Sequence, residues 1–182
     1  MAEAEKTNQP ELQYEVSVRF FDGYEKLSSN KEYLNENDLK RLRKSFEWAQ
    51  KAANQNYAPA LRFLCDNHYF WLLDEGIDMT KAFECYKKAA KLEYAPAFFA
   101  LGECYYLGTG TDEDGHNAFK FFSKAADYGI DEAMKSLFFC YVLGLGVEKN
   151  EREGFNLLKM YCKKCPDDED GQFFLGYAYK DG

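Results

Sequence analysis

The sequence predicts an all-α chain: a solenoid of helix–turn–helix repeats. Three observations carry this. Small residues recur at a fixed period, with Ala60, Ala97 and Ala133 stepping by 37 and 36 residues and Ala53, Ala90 and Ala126 by the same intervals. Glycines stand between these markers at Gly76, Gly108 and Gly144, with Gly182 following the last apolar stretch. The intervening segments are amphipathic with helical spacing, as in Leu39, Leu42, Phe46, Ala49 and Ala53. A repeat of this length means that each helix pair buries its apolar face only against its neighbours.

Taken in order, residues 1–10 are polar and are expected to be a disordered N-terminus. Residues 11–37 admit two readings. Tyr14, Val16, Val18 and Phe20 alternate like a strand. Leu12, Val16, Ser17, Phe20 and Gly23, however, keep the spacing of Ala97, Leu101, Gly102, Tyr105 and Gly108. The second reading makes 11–57 a degenerate first repeat whose opening helix ends at Gly23. A loop over 24–37 then holds an insertion of roughly eleven residues, placed where solenoids accept insertions. Asp38–Asn54 reads as a helix capped by Asn37 or Asp38.

Three full repeats follow, at 58–94, 95–130 and 131–167. Pro59 and Pro96 sit in first turns, where the missing N–H costs nothing. Gly76, Gly108, Gly144 and Gly182 end first helices by adopting positive φ, and Asp78, Asp114 and Asn150 begin second helices. Residues 168–182 read as the first helix of a truncated repeat with no polar capping helix after it. That pattern predicts either a piece of a longer protein or an apolar end open to self-association.

The residues Ala97, Leu101-Gly102, Tyr105, Gly108-x-Gly110, Ala118-Phe119, Phe122, Lys124-Ala125-Ala126 and Gly129 resemble the Sel1-like repeat, a relative of the tetratricopeptide repeat. The tetratricopeptide period of about 34 residues is too short for the spacing here. The unit from Asp131 matches with Ala133, Leu137, Tyr141, Gly144, Gly146 and Phe155. It departs at Tyr161-Cys162, where paired alanines are expected, which predicts a helix set slightly further from its neighbour. The unit from Ala58 matches with Ala60, Leu64, Ala82-Phe83, Tyr86 and Lys88-Ala89-Ala90, and departs at Cys65 and His68. The resemblance covers about four fifths of the chain. It implies a right-handed α/α superhelix with first helices on the concave side, and a protein-binding role.

A net charge of −8 and a pI near 4.9 exclude a nucleic-acid binder, because little here would neutralise phosphates. They favour a basic protein or peptide partner. No apolar run reaches the roughly 20 residues that cross a bilayer, so no direct membrane insertion is expected. The polar start lacks a secretory h-region. In the resemblance, a secreted cysteine-rich branch pairs a Cys closing one second helix with one opening the next unit. Here those positions hold Ala53, Ala90, Ala126 and Cys162 against Ala60, Ala97, Ala133 and Gly171, so no such pair can form. Six free thiols and a cytoplasmic location are therefore expected.

No catalytic, metal or cofactor site is expected. His68 stands where other units have Tyr, and His116 lies in a turn among acids. Cys162-Lys-Lys-Cys165 has zinc or redox spacing but no second pair. Setting Gly115 at the sixth position of a calcium loop puts Gly110 first and Phe121 twelfth, where acids are required.

If Leu101, Gly102 and Tyr105 pack inward, then Phe99, Glu103 and Tyr106 face a groove. The equivalents are Tyr14, Val18 and Phe21; Arg62, Asp66 and Tyr69; Lys135, Phe139 and Val142; and Phe173, Tyr177 and Lys180. Lys124 and Glu148 fall on the outer surface. The set is half aromatic, which suits a peptide or partner helix, although tight packing would turn some of these rings inward. The expected function is a non-enzymatic adaptor or scaffold. The alternatives are a regulatory repeat module of a larger protein, linked to a kinase or a membrane anchor, and, less favoured, a cysteine-dependent hydrolase.

Overall fold

Residues 7–21, 36–69 and 79–181 are described in a computed structural model of the chain. Among them every regular element is a helix and none is a strand. The chain divides into two units between Asp78 and Met79. The first contains α1 (Pro10–Phe21), α2 (Glu36–Ala53) and α3 (Ala58–Tyr69). The second contains α4 (Met79–Lys91), α5 (Ala95–Leu107), α6 (Gly115–Asp127), α7 (Glu132–Leu143), α8 (Glu151–Lys164) and α9 (Glu169–Asp181).

In the first unit the strand-like alternation of residues 14–20 belongs to a helix. A strand would put Val16 and Val18 on one face, yet Val16 is 7% exposed and Val18 40%. Val16 packs with Trp48, and the Ser45 hydroxyl donates to the Ser17 carbonyl at 2.8 Å, fixing α1 on α2. Because α2 begins at Glu36, Asn37 and Asp38 lie inside its first turn rather than capping it. Glu36 and Asp38 there oppose the positive end of the helix dipole. Gly23, Gly76, Asp78, Gly182, most of the 24–37 segment and the side chains of Leu39 and His68 lie outside the described residues.

In the second unit the repeats are joined by a periodic aromatic contact. Phe83 of α4 meets Tyr105 of α5 edge-on, with centroids 5.3 Å apart and planes at 89°. Phe119 and Tyr141 do the same at 5.4 Å and 87°, and Phe155 and Tyr179 at 5.0 Å and 90°. Each second helix is thus tied to the next first helix in the geometry that ring quadrupoles favour.

The helix ends follow the sequence. Asp114 accepts the Asn117 N–H at 3.0 Å and Asn150 the Glu153 N–H at 3.1 Å. Gly108 and Gly144 close α5 and α7 with φ of 66° and 71°. The second glycine of each G-x-G has a further role beyond turning the chain. A Cβ on Gly110 would overlap the Met79 carbonyl at the start of α4, and one on Gly146 would overlap the Gly115 carbonyl at the start of α6. Each loop therefore rests directly on the previous second helix.

The alanine register also shifts by one residue. Ala52, Ala89 and Ala125 are fully buried; of the alanines that the period singles out, Ala53 is buried too, whereas Ala90 and Ala126 are only half-buried. Ala60, Ala97 and Ala133 are fully buried. At the departure from the repeat pattern, Tyr161 takes the place of Ala125, and its ring occupies room left by Gly171, which takes the place of Ala133. A Cβ on Gly171 would lie 2.9 Å from that ring.

Candidate protein-binding surface

The sequence-derived groove residues divide into packed and exposed groups. In the first unit Tyr14 is half-buried against Tyr57 and Phe63, and Phe21 meets the Phe63 ring at 5.0 Å. Arg62 donates to Asp66 through Nε at 2.6 Å, with both side chains half-buried. Tyr69 lies in the last turn of α3, its side chain outside the described residues.

In the second unit Phe99 is half-buried on Phe122, with centroids 5.7 Å apart. Phe139 lies between Phe138 at 4.9 Å and Phe174 at 5.0 Å. Lys135 donates to Asp168 at 3.0 Å, and its ammonium sits 5.4 Å from the Tyr161 ring. Burial works against that charge, but the bonds to Asp168 and Tyr161 outweigh it and hold the lysine above its ordinary pKa. The Asp168 carboxyl is held below its usual range by the same lysine and by the Gly171 N–H. Val142 is half-buried.

Among the described residues five groove positions remain exposed: Val18 (40%) in the first unit, and Glu103, Tyr106 (39%), Phe173 (68%) and Tyr177 (61%) in the second; the side chain of Lys180 lies outside the described residues. Glu103 of α5, Phe139 of α7 and Tyr177 of α9 occupy equivalent positions of successive first helices. Leu107 and Leu143 extend this surface; the sequence reading missed them, although each stands directly before a capping glycine. Glu148 is exposed as expected. Lys124 is not a bare outer lysine. Its ammonium lies 4.1 Å from the centroid of buried Phe98, so it covers the core.

Three of the thiols, Cys104, Cys140 and Cys162, are set against nucleophilic work by their burial. All six cysteines are free. Burial pushes Cys104 and Cys140 up to about 11 and also raises Cys162, whereas a reactive cysteine needs its pKa lowered. Among the described residues no group of three or more His, Cys, Asp or Glu is placed to hold a metal ion. Nor is any described helix long and apolar enough to cross a membrane.

The Sel1 repeat pattern matches residues 22–57, 58–94, 95–129, 131–164 and 169–182. The chain belongs to the Sel1 repeat family. α1 precedes the first matched stretch, yet it packs on α2 through the Ser45–Ser17 bond.

Solved structures show the same Sel1 fold. The chain is similar to c5321, a protective antigen of uropathogenic Escherichia coli with an SLR fold, at 25% identity and a TM-score of 0.82, over 100% of this chain and 36% of that one. It is similar to a Sel1 repeat protein from Oxalobacter formigenes at 23% identity and a TM-score of 0.76, over 96% and 66%. It also resembles Helicobacter pylori cysteine rich protein B at 24% identity and a TM-score of 0.53, over 71% and 96%. The chain thus spans about a third of the length of the first and about two thirds of the second. Among curated protein sequences, none matches. Sel1 repeats generally mediate protein–protein interaction and are generally non-catalytic.

Proposed function

We propose that this Sel1 chain is a non-enzymatic adaptor that binds a protein segment along the exposed row of first helices in the unit beginning at Met79. The observation that carries the reading is the exposure of Tyr106 and Tyr177, beside Glu103, in a unit whose other first-helix rings mostly pack on neighbours. Tyrosine supplies a large, stiff contact area with a polar tip, which is why it recurs among interface anchors. The net charge of −8 favours a basic segment. Six free thiols fit a cytoplasmic setting, which is part of the proposal.

The test is comparative. Wild type and a Tyr106→Ala/Tyr177→Ala variant are used as bait, and the protein captured by wild type is then titrated against both. The variant is expected to bind at least about tenfold more weakly, a loss of about 1.4 kcal/mol, with an unchanged melting temperature. Phe99→Ala serves as the contrast: Phe99 packs on Phe122, so that variant should melt lower. Equal affinity for wild type and the double variant would move the surface elsewhere. A regulatory module within a larger protein is a second reading, favoured by the 36% share of the Escherichia coli chain that this one spans. It would use the same row.

A further inference from the structure

Cys162 and Cys165 form a motif that protein binding leaves unused, and at both positions the chain departs from its own repeat. The other second helices hold Ala53, Ala90 and Ala126 where α8 holds Cys162. Three residues on, Asn56, Glu93 and Gly129 turn the chain with φ of 60°, 56° and 86°, and all three are exposed. Cys165 stands there instead with φ of −118° and ψ of 70°, and it is half-buried. Pro166 accounts for the change, because the residue before a proline is pushed toward extended backbone.

Turned away from water, Cys165 comes beside Cys162. Cys162 is buried with Phe138, Leu158 and Tyr161, and Cys165 packs against that same cluster. The Cys165 N–H donates to the Tyr161 carbonyl at 2.8 Å, which keeps it next to the last turn of α8. Side chains three apart on a helix hold their Cβ atoms about 5–6 Å apart, and a disulfide needs about 3.5–4.5 Å. A movement of roughly 1–2 Å closes that gap. Cys165 can make it, since it lies past Lys164, the final residue of α8.

That movement bears on α9. The Cys165 carbonyl accepts the Asp168 N–H at 3.4 Å, a long bond that an inward shift breaks. Asp168 in turn caps α9 through the Gly171 N–H at 2.8 Å and holds Lys135 of α7 at 3.0 Å.

We propose that Cys162 and Cys165 are a redox-active dithiol, which a peroxide closes to an intrachain disulfide, and that closure loosens the start of α9. Cys165, the more accessible thiol, reacts first. Its thiolate attacks one oxygen of hydrogen peroxide and the O–O bond breaks. This leaves a sulfenic acid and a hydroxide, which takes up a proton to become water. The Cys162 thiol then gives up its proton, its sulfur bonds to that of Cys165, and the S–O bond breaks with loss of a second water. Two thiols and one hydrogen peroxide thus give one disulfide and two waters. Burial holds Cys162 protonated, so the second step is the slower one, and the nearness of the two residues is what carries it. The pair is separate from the row of Tyr106 and Tyr177, and stands whether or not that row binds.

The test uses the whole 182-residue chain, reduced and then freed of reductant. Hydrogen peroxide is added, the remaining thiols are capped with N-ethylmaleimide in denaturant, and the chain is cut with trypsin. Lys163 and Lys164 lie between the cysteines, so the disulfide is read as peptide 160–163 joined to peptide 165–180. The joined pair should appear with loss of two of the six thiols, and glutathione should reverse it by forming glutathione disulfide. Amide exchange at the start of α9 should quicken about threefold or more in the oxidised chain. Cys162→Ala restores the alanine of the other repeats, so it should fold, and it should abolish both the joined peptides and the change in exchange. Cys165→Ser should do the same. Oxidation that stops at Cys165, or links it to another cysteine or a second chain, overturns the disulfide. A joined pair with unchanged exchange in α9 overturns the loosening.

Discussion

Tyr161 and Gly171 exchange volume: the ring fills space that alanines fill in the other repeats, and the glycine opposite gives it up. Gly171→Ala should be destabilising, since its Cβ would lie 2.9 Å from the ring and 2.8 Å from Asp168 Oδ2. Tyr161→Ala leaves a cavity and should cost about 3 kcal/mol. The double variant restores the alanine pair of the other repeats and should recover part of both losses, because residues in contact are not additive. Urea denaturation of the four proteins measures this, and strictly additive losses would refute the exchange. The departure at Tyr161 was legible in the sequence, but its compensation was not. Gly171 lies further along the chain, in the next repeat, where no local pattern links it to Tyr161. The cysteines carry a second prediction at this scale. With Cys104 and Cys140 pushed up to about 11 by burial, at pH 8 only about a thousandth of each is thiolate. Native alkylation at that pH should spare both while half-buried Cys165 reacts, and all six should react once the chain is denatured. Two or more thiols missing in the denatured, unreduced protein would point to disulfides and overturn the cytoplasmic reading.

At the scale of elements, most helices were legible because their ends are marked by local chemistry. Asp114 and Asn150 cap α6 and α8, and Gly108 and Gly144 end α5 and α7, as their residue types require. α1 was ambiguous because β-branched and aromatic residues at every second position satisfy both periods over so short a run. Packing on Trp48 and Ser45 decides it. The start of α9 combines two functions in one side chain. Asp168 Oδ2 accepts the Gly171 N–H at 2.8 Å and the Lys135 ammonium at 3.0 Å. Asp168→Asn should keep a cap acceptor and lose the charge, whereas Asp168→Ala loses both, so melting temperature should fall in the order wild type, Asn, Ala. The pH dependence has a definite sign. A carboxyl whose folded pKa is depressed stabilises above its unfolded pKa of about 3.9 and ceases to as pH falls through the lower folded value. The gap between wild type and Asp168→Asn should thus be constant at neutral pH and close below about pH 4. A gap that persists under acid would mean the charge is not what holds Lys135.

For the molecule as a whole, the period told which helices are neighbours, but not which rings stay in water. A helical wheel separates Phe99 from Leu101 and Tyr105, yet it does not say how wide the buried arc is. α5 meets both the preceding α4, through Phe83–Tyr105, and its own α6, through Phe99–Phe122. That arc takes in Phe99 and leaves Tyr106. Lys124 was misplaced for a related reason, since a long side chain on an outer face can fold back over a buried ring. The recurring Phe–Tyr contact makes the second unit a chain of nearest-neighbour couplings, in which losing one coupling frees chiefly the helices between the break and the nearer end. Phe155→Leu removes the edge contact to Tyr179 and should speed amide exchange in α9 while leaving α5 and α6 protected. Phe119→Leu cuts the middle contact to Tyr141 and should raise exchange in α7, α8 and α9 together, since all three lie beyond the break. Hydrogen–deuterium exchange read by mass spectrometry resolves these segments. If Phe155→Leu loosened α5 as much as α9, the unit would unfold as one cooperative body, and the nearest-neighbour account of its stability would fail.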